Sequence, residues 1–564
     1  MRLLSTALFN LFALLFGLLA APFRLMDRKP RWLVMELTGE LPWRAGRRPR
    51  WSILQRSRRR PLAATSIYAL EEQLRKATGD RRIRGVVIKV EGFEGPGSQL
   101  WGVRRALEVF RKAGKEVVFY GRAVSMREYA LMASGSRAFL APGGRIDLKG
   151  YSAELYVLGE ALQRAGVKAH FLRRAQYKTA PELFTDSHVS AAQKETTQAL
   201  LEDAFARSIA FIADGRKKTP EEVRAWIDQG PFGAAEALAK GLVDGIADGE
   251  DLEQQLAEPK QKRARLVPLS RYRGPGVFGD RFRKFLRPPR VGLVRIEGVI
   301  KLGESVKVPF APQAAGSDTV VQVLRLARED DSIKAIVVAI DSRGGSSLAS
   351  ELVLRAVKRA AAEKPVVAYI DHVAASGGYM AAVGAPTIIA SPSAITGSIG
   401  VFGGKFEISG LLDKLGVGRT VLALGEHAAM ESAFQPWSEG ERAALDREIE
   451  QTYRDFLAVV AEGRKRKSEE IEPLAGGRVY TATKAKEVGL VDELGGFEDA
   501  VAKAAKLAGL EKKPDVALIE VPARALSALA GVKGYSDVAK LLVPLAEERV
   551  FALDETWVRL RPEP

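Results

Sequence analysis

The stretch YALMASGSRAFLAPGGRIDLKG, residues 129–150, returns in altered form as YMAAVGAPTIIASPSAITGSIG, residues 379–400. The two align without gaps, and identical residues stand 250 positions apart at three places: Tyr129 and Tyr379, Pro142 and Pro392, Gly150 and Gly400. A fixed period in a chain of 564 residues indicates a tandem duplication. The length agrees, because it exceeds that of one ordinary domain.

Short apolar runs occur at matching places in the two copies. β-branched residues dominate 86–90 and 117–120 in the first copy and 336–340 and 366–370 in the second, which predicts strands. The intervening SELVLRAVKRAAAEK, residues 350–364, has the apolar spacing of a helix. Alternating strands and helices predict an α/β fold built from βαβ units with a mainly parallel sheet in each copy.

Charge is concentrated in two stretches of the chain. Residues 24–60 hold 12 Arg or Lys against three acids, and residues 259–290 hold 11 against one, within a chain of net charge +17. No zinc-ligand spacing, aromatic-basic RNA motif or helix-turn-helix pattern accompanies either stretch, so nucleic acid is not an expected partner. The chain has no cysteine, which excludes disulfides, thiolate metal sites and a cysteine nucleophile.

An apolar segment precedes the first basic stretch. Residues 3–23, LLSTALFNLFALLFGLLAAPF, carry no charge and are long enough to span a bilayer as a helix. A cleaved secretory signal is the alternative, but Pro22 directly after Ala20 and Ala21 disfavours cleavage. We expect an uncleaved membrane anchor. The arginines that follow it would place the body in the cytoplasm by the positive-inside rule.

Two glycine-containing loops of the second copy follow predicted strands. One is AIDSRGGSSLAS (339–350), and the other is DHVAASGGYMAA (371–382), with Ser376 at its turn. A strand-to-helix turn rich in glycine presents backbone N–H groups to a developing oxyanion. One Gly-Gly pair alone would indicate only a tight turn, whereas two pairs after successive strands predict a nucleophile loop and an oxyanion site.

The motifs SRGGSSLASE (342–351), AASGGYMAA (374–382) and ITGSIGVFG (395–403) together resemble the long, duplicated form of the signal peptide peptidase A family of serine peptidases. The resemblance implies a Clp protease/crotonase-like superhelical fold in each repeat and a Ser-Lys dyad in place of a triad. It implies no cofactor and no metal. It also implies a homotetramer in a bacterial inner membrane, with the catalytic part on the periplasmic face and cleaved signal peptides as hydrophobic substrates. That sidedness conflicts with the arginines after the anchor.

The resemblance assigns roles to residues of both copies. The general base maps to Lys178 in AQYKTAPELF (175–184), 198 residues before the nucleophile Ser376. The hydroxyl that orients the lysine maps to Ser398, and the oxyanion donors map to the N–H groups of Gly377 and Gly345. Arg343 departs from the pattern, because relatives often have proline there.

The repeat tests this assignment. Residues 166–184 align without gaps with 416–434, which places Ala428 opposite Lys178. Ser376 falls opposite Met126, or Arg127 with a different gap. Each copy has therefore kept one member of the dyad, and we expect one composite site in each chain.

The proposed chemistry sets conditions on the surroundings of Lys178. A charged lysine cannot act as a base, so burial must lower its pKa from the usual value of about 10.4. Glu182, one helical turn away, would oppose this, and we expect it to point elsewhere. His372 beside Asp371 permits a competing Ser-His-Asp reading, which leaves the lysine without a role. The other histidines are expected to be structural: His170, His188 and His427.

Two other classes of function remain open. A crotonase-like acyl-CoA enzyme would use two backbone N–H groups but would offer no role for Ser376, and a non-catalytic membrane scaffold would cleave no peptide. The expected organisation is an anchor (1–24), a basic segment with a first strand (25–60), a lysine-bearing repeat (61–255), a basic linker (256–290), a serine-bearing repeat (291–510) and a C-terminal extension (511–564).

Overall fold

The computed structural model describes residues 7–12, 14, 31–41, 66–259, 261–272, 274, 289–305, 313–510, 514–520 and 550–553. The chain divides into two compact units, the first from residues 1–152, 201–288 and 560–564, the second from residues 153–200 and 289–559. The units do not follow the repeat boundaries, because residues 153–200 of the first repeat belong to the unit that contains the second.

The strands are numbered along the chain: β1 (Arg31–Gly39), β2 (Ile83–Phe93), β3 (Glu116–Ser125), β4 (Arg137–Asp147), β5 (Lys168–Arg174), β6 (Phe232–Gly233), β7 (Gly245–Ile246), β8 (Leu266–Pro268), β9 (Arg290–Glu297), β10 (Val299–Lys301), β11 (Ala314–Gly316), β12 (Ile333–Ser342), β13 (Gly344–Ser346), β14 (Val366–Ala375), β15 (Thr387–Ala390), β16 (Ile395–Gly397), β17 (Val401–Glu407), β18 (Val479–Thr481), β19 (Glu493–Leu494), β20 (Asp515–Leu518) and β21 (Val550–Leu553).

The α-helices are numbered in the same way: α1 (Ile67–Thr78), α2 (Gly97–Lys112), α3 (Met126–Met132), α4 (Gly159–Ala165), α5 (Glu182–Thr185), α6 (Ala191–Arg216), α7 (Pro220–Gln229), α8 (Ala234–Ala239), α9 (Gly249–Gln255), α10 (Ser317–Glu329), α11 (Ser347–Glu363), α12 (Gly377–Ala382), α13 (Ser409–Lys414), α14 (Glu439–Arg464), α15 (Ser468–Ile471), α16 (Ala482–Glu487) and α17 (Phe497–Leu507). Short 3-10 turns cover Leu269–Arg271 and Glu472–Leu474.

The first unit contains a seven-stranded sheet in the order β6-β4-β3-β2-β1-β8, with β7 also paired to β4. The four central strands β1 to β4 are parallel, as the sequence predicts. Val86, Val87 and Ile88 of β2 are fully buried. A parallel strand that is covered on both faces needs such a continuous apolar run.

The second unit contains an eight-stranded sheet and a six-stranded sheet. The first has the order β18-β16-β14-β12-β9-β20 with β15 and β19 attached, and its central strands β9, β12 and β14 are parallel. The second has the order β11-β10-β13-β21-β17-β5. Parallel strands β12 and β14 end at the same edge of their sheet, so the two glycine loops that follow them come together there.

Helix α11 shows how the local sequence sets this edge. It begins directly after β13, and the Ser346 side chain caps it by accepting a hydrogen bond from the Ala349 N–H at 3.1 Å. The inward residues Val353, Leu354 and Val357 are buried in the core of the unit. The predicted helix over 350–364 is therefore confirmed, with a start three residues earlier.

The duplication is visible in matched interactions within each unit. The Tyr129 hydroxyl donates to the Leu242 carbonyl at 2.8 Å, and the Tyr379 hydroxyl donates to the Leu490 carbonyl at 2.7 Å. Burial raises the pKa of both tyrosines above its usual range. Two ion pairs repeat as well, Arg216 with Asp244 and Arg464 with Asp492. The repeats thus share internal packing in addition to sequence.

The segments outside the repeats partly join the sheets. The basic linker supplies β8, which pairs with β1, and the C-terminal extension supplies β20, which pairs with β9. The first strand expected in residues 25–60 is β1. Most of the expected anchor, residues 1–24, lies outside the described residues. Within the part of the chain that is described, no helix has the length and apolarity needed to cross a bilayer.

Candidate active site

Three polar side chains from distant parts of the sequence meet in the second unit. The Lys178 Nζ donates to the Ser376 Oγ at 2.7 Å, to the Ser398 Oγ at 2.9 Å and to the Ser398 carbonyl at 3.2 Å. All three residues are fully buried. A buried amine needs hydrogen-bond acceptors to offset the loss of water, and here two serines supply them.

Ser376 stands where β14 passes into α12. Its backbone has φ +53° and ψ −119°, a conformation that residues other than glycine rarely adopt. Its N–H donates to the Gly397 carbonyl at 2.8 Å, which ties the turn to β16. A strained strand-to-helix turn that is held in this way presents the hydroxyl at the edge of the sheet.

The lysine reaches this edge on an arm from the first repeat. Strand β5 pairs antiparallel with β17, from Arg174 opposite Val401 to Lys168 opposite Glu407. The Arg174 guanidinium then binds two carboxylates of α14, those of Asp446 and Glu450, at 2.7 Å each. The paired strand and this double ion pair together hold the turn that carries Lys178.

A loop of the second repeat, residues 476–478, lies against the turn that carries Lys178. The Tyr177 N–H donates to the Gly476 carbonyl at 2.8 Å, and the Ser398 N–H donates to the Arg478 carbonyl at 2.7 Å. Gly477 lies between them with φ +75°, and a Cβ atom there would come within 2.5 Å of the main-chain nitrogen of Lys178. Only glycine allows the loop to approach the lysine this closely.

Side-chain interactions strengthen the contact between this loop and the lysine turn. The Arg478 guanidinium lies 4.0 Å from the centre of the Tyr177 ring and forms an ion pair with Glu195 at 2.8 Å. The Tyr177 hydroxyl donates to the same carboxylate at 2.9 Å. Hydrogen bonds from Tyr177 and Arg478 lower the pKa of Glu195.

The Glu182 carboxylate is occupied by a cation other than Lys178. It accepts a hydrogen bond from the Arg173 guanidinium at 2.5 Å, and the same guanidinium donates to the Lys178 carbonyl at 3.2 Å. Arg173 therefore sits between the acid and the main chain of the lysine turn. This agrees with the expectation that Glu182 points elsewhere.

The two expected oxyanion donors lie on different elements near Ser376. Gly377 is the first residue of α12, and the N–H groups of a first helical turn have no acceptor within the helix. Gly345 lies in β13, where a Cβ atom would meet the Ile300 carbonyl oxygen at 1.9 Å. Strand β13 can lie against β10 because this position is glycine.

The edge beside Gly345 accepts an extended strand. Strand β21 pairs antiparallel with β13, with Ala552 opposite Gly345, and also antiparallel with β17, with Phe551 opposite Phe402. The space between β13 and β17 therefore has the width and the backbone groups to hold one extended strand, and β21 occupies it.

Two of the histidines that were expected to be structural make contacts of their own. His170 has its Nε2 2.7 Å from the Glu407 Oε2 and its ring against Trp437. His188 has its Nδ1 2.8 Å from the Ser187 Oγ. These contacts account for both imidazoles without a part in the chemistry at Ser376.

The competing reading of the site would use His372 and Asp371. Both are half-buried residues of β14, four and five positions before Ser376. The hydrogen bond to the Ser376 hydroxyl comes from the Lys178 amine at 2.7 Å. The side chain in contact with the Ser376 hydroxyl is thus a lysine and not an imidazole.

Comparison with known proteins decides the class of the chain. The profile of peptidase family S49 matches residues 109–263 and 358–511, once in each repeat. This chain belongs to peptidase family S49. Protease 4 of Salmonella typhi is 32% identical over 470 residues, which cover 80% of this chain and 73% of that protein. The chloroplastic serine protease SPPA of Arabidopsis thaliana is 28% identical over 468 residues, which cover 81% of this chain and 68% of that protein.

The resemblance to the signal peptide peptidase A family is thus confirmed, and the chain is a serine protease of family S49. Among solved structures, a ClpP1 mutant from Listeria monocytogenes is 18% identical, covers 37% of this chain and 93% of its own length, and has a TM-score of 0.25.

The first repeat of this S49 chain differs from the second at the position equivalent to Ser376. Ser125 pairs with Asp147 across β3 and β4, and Ala375 pairs with Gly397 across β14 and β16, each 250 positions later. The matching sheet register therefore makes Met126 of the first repeat the equivalent of Ser376 in the second. Helix α3 begins at Met126, whereas α12 begins one residue after Ser376, so the first repeat lacks the strained turn.

Sequence reasoning missed the loop that covers the lysine. Gly476, Gly477 and Arg478 contact the lysine turn and Ser398, and none of them belongs to the motifs of the family resemblance. The adjacent glycines were the available signal. A Gly-Gly pair is common in turns, and only the folded chain shows which segment it faces.

Proposed function

We propose that this chain is an endopeptidase that uses Ser376 as nucleophile and Lys178 as general base. The observation that carries the proposal is the 2.7 Å contact between the Lys178 Nζ and the Ser376 Oγ at a fully buried position. Burial disfavours the ammonium form of an amine, and a neutral amine can take the proton of a hydroxyl.

In the first step the Ser376 Oγ attacks the carbonyl carbon of the scissile peptide bond while its proton passes to the Lys178 Nζ. The resulting ammonium keeps hydrogen bonds to the Ser398 Oγ and the Ser398 carbonyl. The negative charge develops on the substrate oxygen, where the N–H groups of Gly377 and Gly345 stabilise it. Oriented donors in a dry site are most effective where charge appears in the transition state.

In the second step the ammonium gives its proton to the departing amine, and an ester remains on Ser376. A water molecule then attacks the ester carbonyl while Lys178 takes one of its protons. The bond to the Ser376 Oγ breaks, the ammonium returns that proton to the Oγ, and the acid product leaves. Both half-reactions use the same three side chains, so the proposed chemistry calls for neither a metal nor a cofactor.

We further propose that substrates bind as extended strands between β13 and β17. The support is β21, which pairs with both strands beside Gly345. An extended peptide in that place gains main-chain hydrogen bonds on both sides, which favours unfolded chains over folded ones.

The finer assignments are proposals that rest on family membership. We propose that the substrates are hydrophobic remnants of signal peptides, that each repeat has the Clp protease/crotonase-like superhelical form, and that the chain works as a membrane-anchored homotetramer on the periplasmic face of a bacterial inner membrane. The support is the apolar character of residues 3–23 and the names of relatives. One of them, from Enterococcus faecium, is named "Putative signal peptide peptidase SppA".

The test is hydrolysis of an unfolded hydrophobic peptide with a fluorogenic reporter. Ser376→Ala and Lys178→Ala should each lower kcat by on the order of 10⁴-fold or more, because members of such a unit act together. His372→Asn is the matched control and should retain activity. Full activity in either dyad variant would refute the mechanism, and loss of activity in the histidine variant would favour the triad instead.

Mass spectrometry supplies an independent readout. An acyl-enzyme trapped with a slow ester substrate should map to the peptide that contains Ser376 in the parent protein and disappear in Ser376→Ala. Thermal unfolding of each variant separates loss of chemistry from loss of structure.

A further inference from the structure

A buried acid follows the turn that carries Lys178, residues 175–181. Glu182 is the first residue of α5, and its side chain is 3% exposed. The Glu182 N–H donates to the Thr179 carbonyl at 2.8 Å, which ties the acid to the lysine turn. A carboxylate withdrawn from water is costly unless a cation pairs with it. Close to a general base it also opposes the chemistry, because a nearby negative charge stabilises the ammonium form of an amine.

One guanidinium joins this acid to the main chain of the lysine. The Arg173 Nη1 donates to the Glu182 Oε1 at 2.5 Å and to the Lys178 carbonyl at 3.2 Å. Because the two acceptor oxygens share one nitrogen, they are at most two hydrogen-bond lengths apart. Among the described residues, the second carboxylate oxygen of Glu182 has no hydrogen-bond partner. Arg173 therefore supplies the charge that neutralises this carboxylate.

The pair lies in apolar surroundings. Phe171 stands two residues before Arg173 in β5, so both side chains leave the same face of the strand. The Phe171 ring centre is 6.3 Å from that of Phe184 in α5 and 5.5 Å from that of Phe406 in β17. Charges are screened weakly in such a place, so a carboxylate left without Arg173 would act strongly on its neighbours.

Other acids near the lysine turn have cations of their own. Glu195 of α6 forms an ion pair with Arg478, and Asp446 and Glu450 of α14 both bind Arg174. The side chains of these three acids are 53%, 47% and 37% exposed, so water and salt screen their charges. Glu182 differs from them because it is buried.

Strand β17 and helix α14 bring further titratable groups toward β5. The His170 Nε2 lies 2.7 Å from the Glu407 Oε2. Burial lowers the pKa of Lys405, and the Glu441 carboxylate acts in the opposite direction. Burial raises the pKa of Tyr453, which keeps that phenol uncharged. These groups interact with one another, whereas the Glu182 carboxylate bonds to the arginine of the lysine turn.

The second repeat lacks the lysine and the pair together. The ungapped alignment of residues 166–184 with 416–434 places Ala428 opposite Lys178, Ala423 opposite Arg173 and Ser432 opposite Glu182. The aromatic position is kept, because Phe434 stands opposite Phe184. The arginine and the acid thus accompany the lysine more closely than they accompany the packing of the segment.

We propose that Arg173 is a positioning residue of the general base. It neutralises the Glu182 carboxylate, so that this acid does not hold Lys178 as the ammonium, and it fixes the Lys178 carbonyl by a hydrogen bond. Glu182 in turn orients the guanidinium that makes this bond. The proposal rests on the proposed function, because only a lysine that acts as a base needs its neutral form.

The first experiment measures kcat/KM for peptide hydrolysis as a function of pH. The pKa on the acid side of this profile reports the base of the free enzyme. In Arg173→Met it should rise by about one unit or more, because the buried carboxylate is then unpaired. Activity at pH 7 should fall about tenfold or more and recover at higher pH. An activity that falls equally at every pH, with an unmoved acid side, would overturn the inference.

The second experiment removes both charges with the double variant Arg173→Met and Glu182→Gln. The acid side of its profile should return to that of the parent protein, although the hydrogen bond to the Lys178 carbonyl is still missing. The double variant buries no unpaired charge, so it should fold even where Arg173→Met does not. A double variant that keeps a raised acid side, or that fails to fold, would overturn the inference.

Arg174→Met is the matched control. This neighbouring arginine also holds the lysine turn, but its two carboxylates are in contact with water. Its loss should lower kcat without moving the acid side of the profile, and a shift equal to that of Arg173→Met would overturn the inference. Lys178→Ala separates this inference from the proposed function. Full activity in Lys178→Ala refutes the dyad, whereas its loss, combined with an unmoved acid side in Arg173→Met, refutes only the role of Arg173.

Discussion

Ser398→Ala isolates the part of the site that serves the protonated lysine. Ser398 provides two acceptors to the Lys178 Nζ, its Oγ at 2.9 Å and its carbonyl at 3.2 Å, and the substitution removes only the first. A hydrogen bond to a charged group contributes about 1.5 to 3 kcal/mol. The carbonyl remains to compensate, so the lower part of that range applies.

The ammonium forms as the serine attacks, so this loss falls on the transition state. Each 1.4 kcal/mol corresponds to about tenfold in rate, and kcat should therefore drop about 10- to 30-fold with little change in KM. Steady-state peptide hydrolysis measures both constants. The control is Ser393→Ala, which should match the parent enzyme. The Ser393 hydroxyl lies 3.3 Å from the Ser391 Oγ.

Two outcomes would refute this reasoning. An unchanged kcat would mean that Ser398 does not stabilise the ammonium, and a rise in KM at constant kcat would assign it to substrate binding. A thermal unfolding curve like that of the parent protein is needed for either reading, because Ser398 is fully buried.

Three further perturbations test other parts of the structure. Gly477→Ala should raise the activation free energy of peptide hydrolysis by more than it lowers the free energy of unfolding, because the added Cβ would displace the main chain of Lys178. Peptide hydrolysis measures the first quantity and thermal unfolding the second, and equal changes in both would contradict the prediction. Burial raises the pKa of Asp341 to about 6 from 3.8, so the folded protein holds the proton more tightly and stability falls as the pH rises between those values. Asp341→Asn should remove this fall in melting temperature between about pH 4 and 7, and an unchanged slope would contradict it. A chain that ends at residue 520 should show a lower KM for peptides, because β21 no longer competes for β13 and β17, and an unchanged KM would exclude that competition.

Much of the architecture could be predicted from periodicity alone. The 250-residue spacing, the apolar runs and the helix over 350–364 specify two related α/β repeats, because a parallel strand covered on both faces must be continuously apolar. Periodicity alone did not identify the residue that contacts Ser376. Family resemblance identified Lys178, and the repeat alignment supported it, since the equivalent position in the second copy is Ala428.

Other features could not be interpreted from the sequence alone. Residues 476–478 form a Gly-Gly-Arg turn whose role depends on which segment it faces, and that segment is 298 positions earlier at Lys178 (476 − 178 = 298). Strand β21 lies far from β13 in sequence, and its pairing depends on main-chain groups that every residue has. Contacts of this kind leave no pattern of residue types.

The sequence by itself determined the duplication, the fold class and the chemistry available, because periodicity and residue type are local properties of the chain. The tertiary structure decided which groups meet. It alone brought an amine from the first repeat within 2.7 Å of a hydroxyl in the second and buried both. It also paired β5 of the first repeat with β17 of the second. The physical reason is that long-range pairing is selected by the packing of the whole unit, which no single segment encodes.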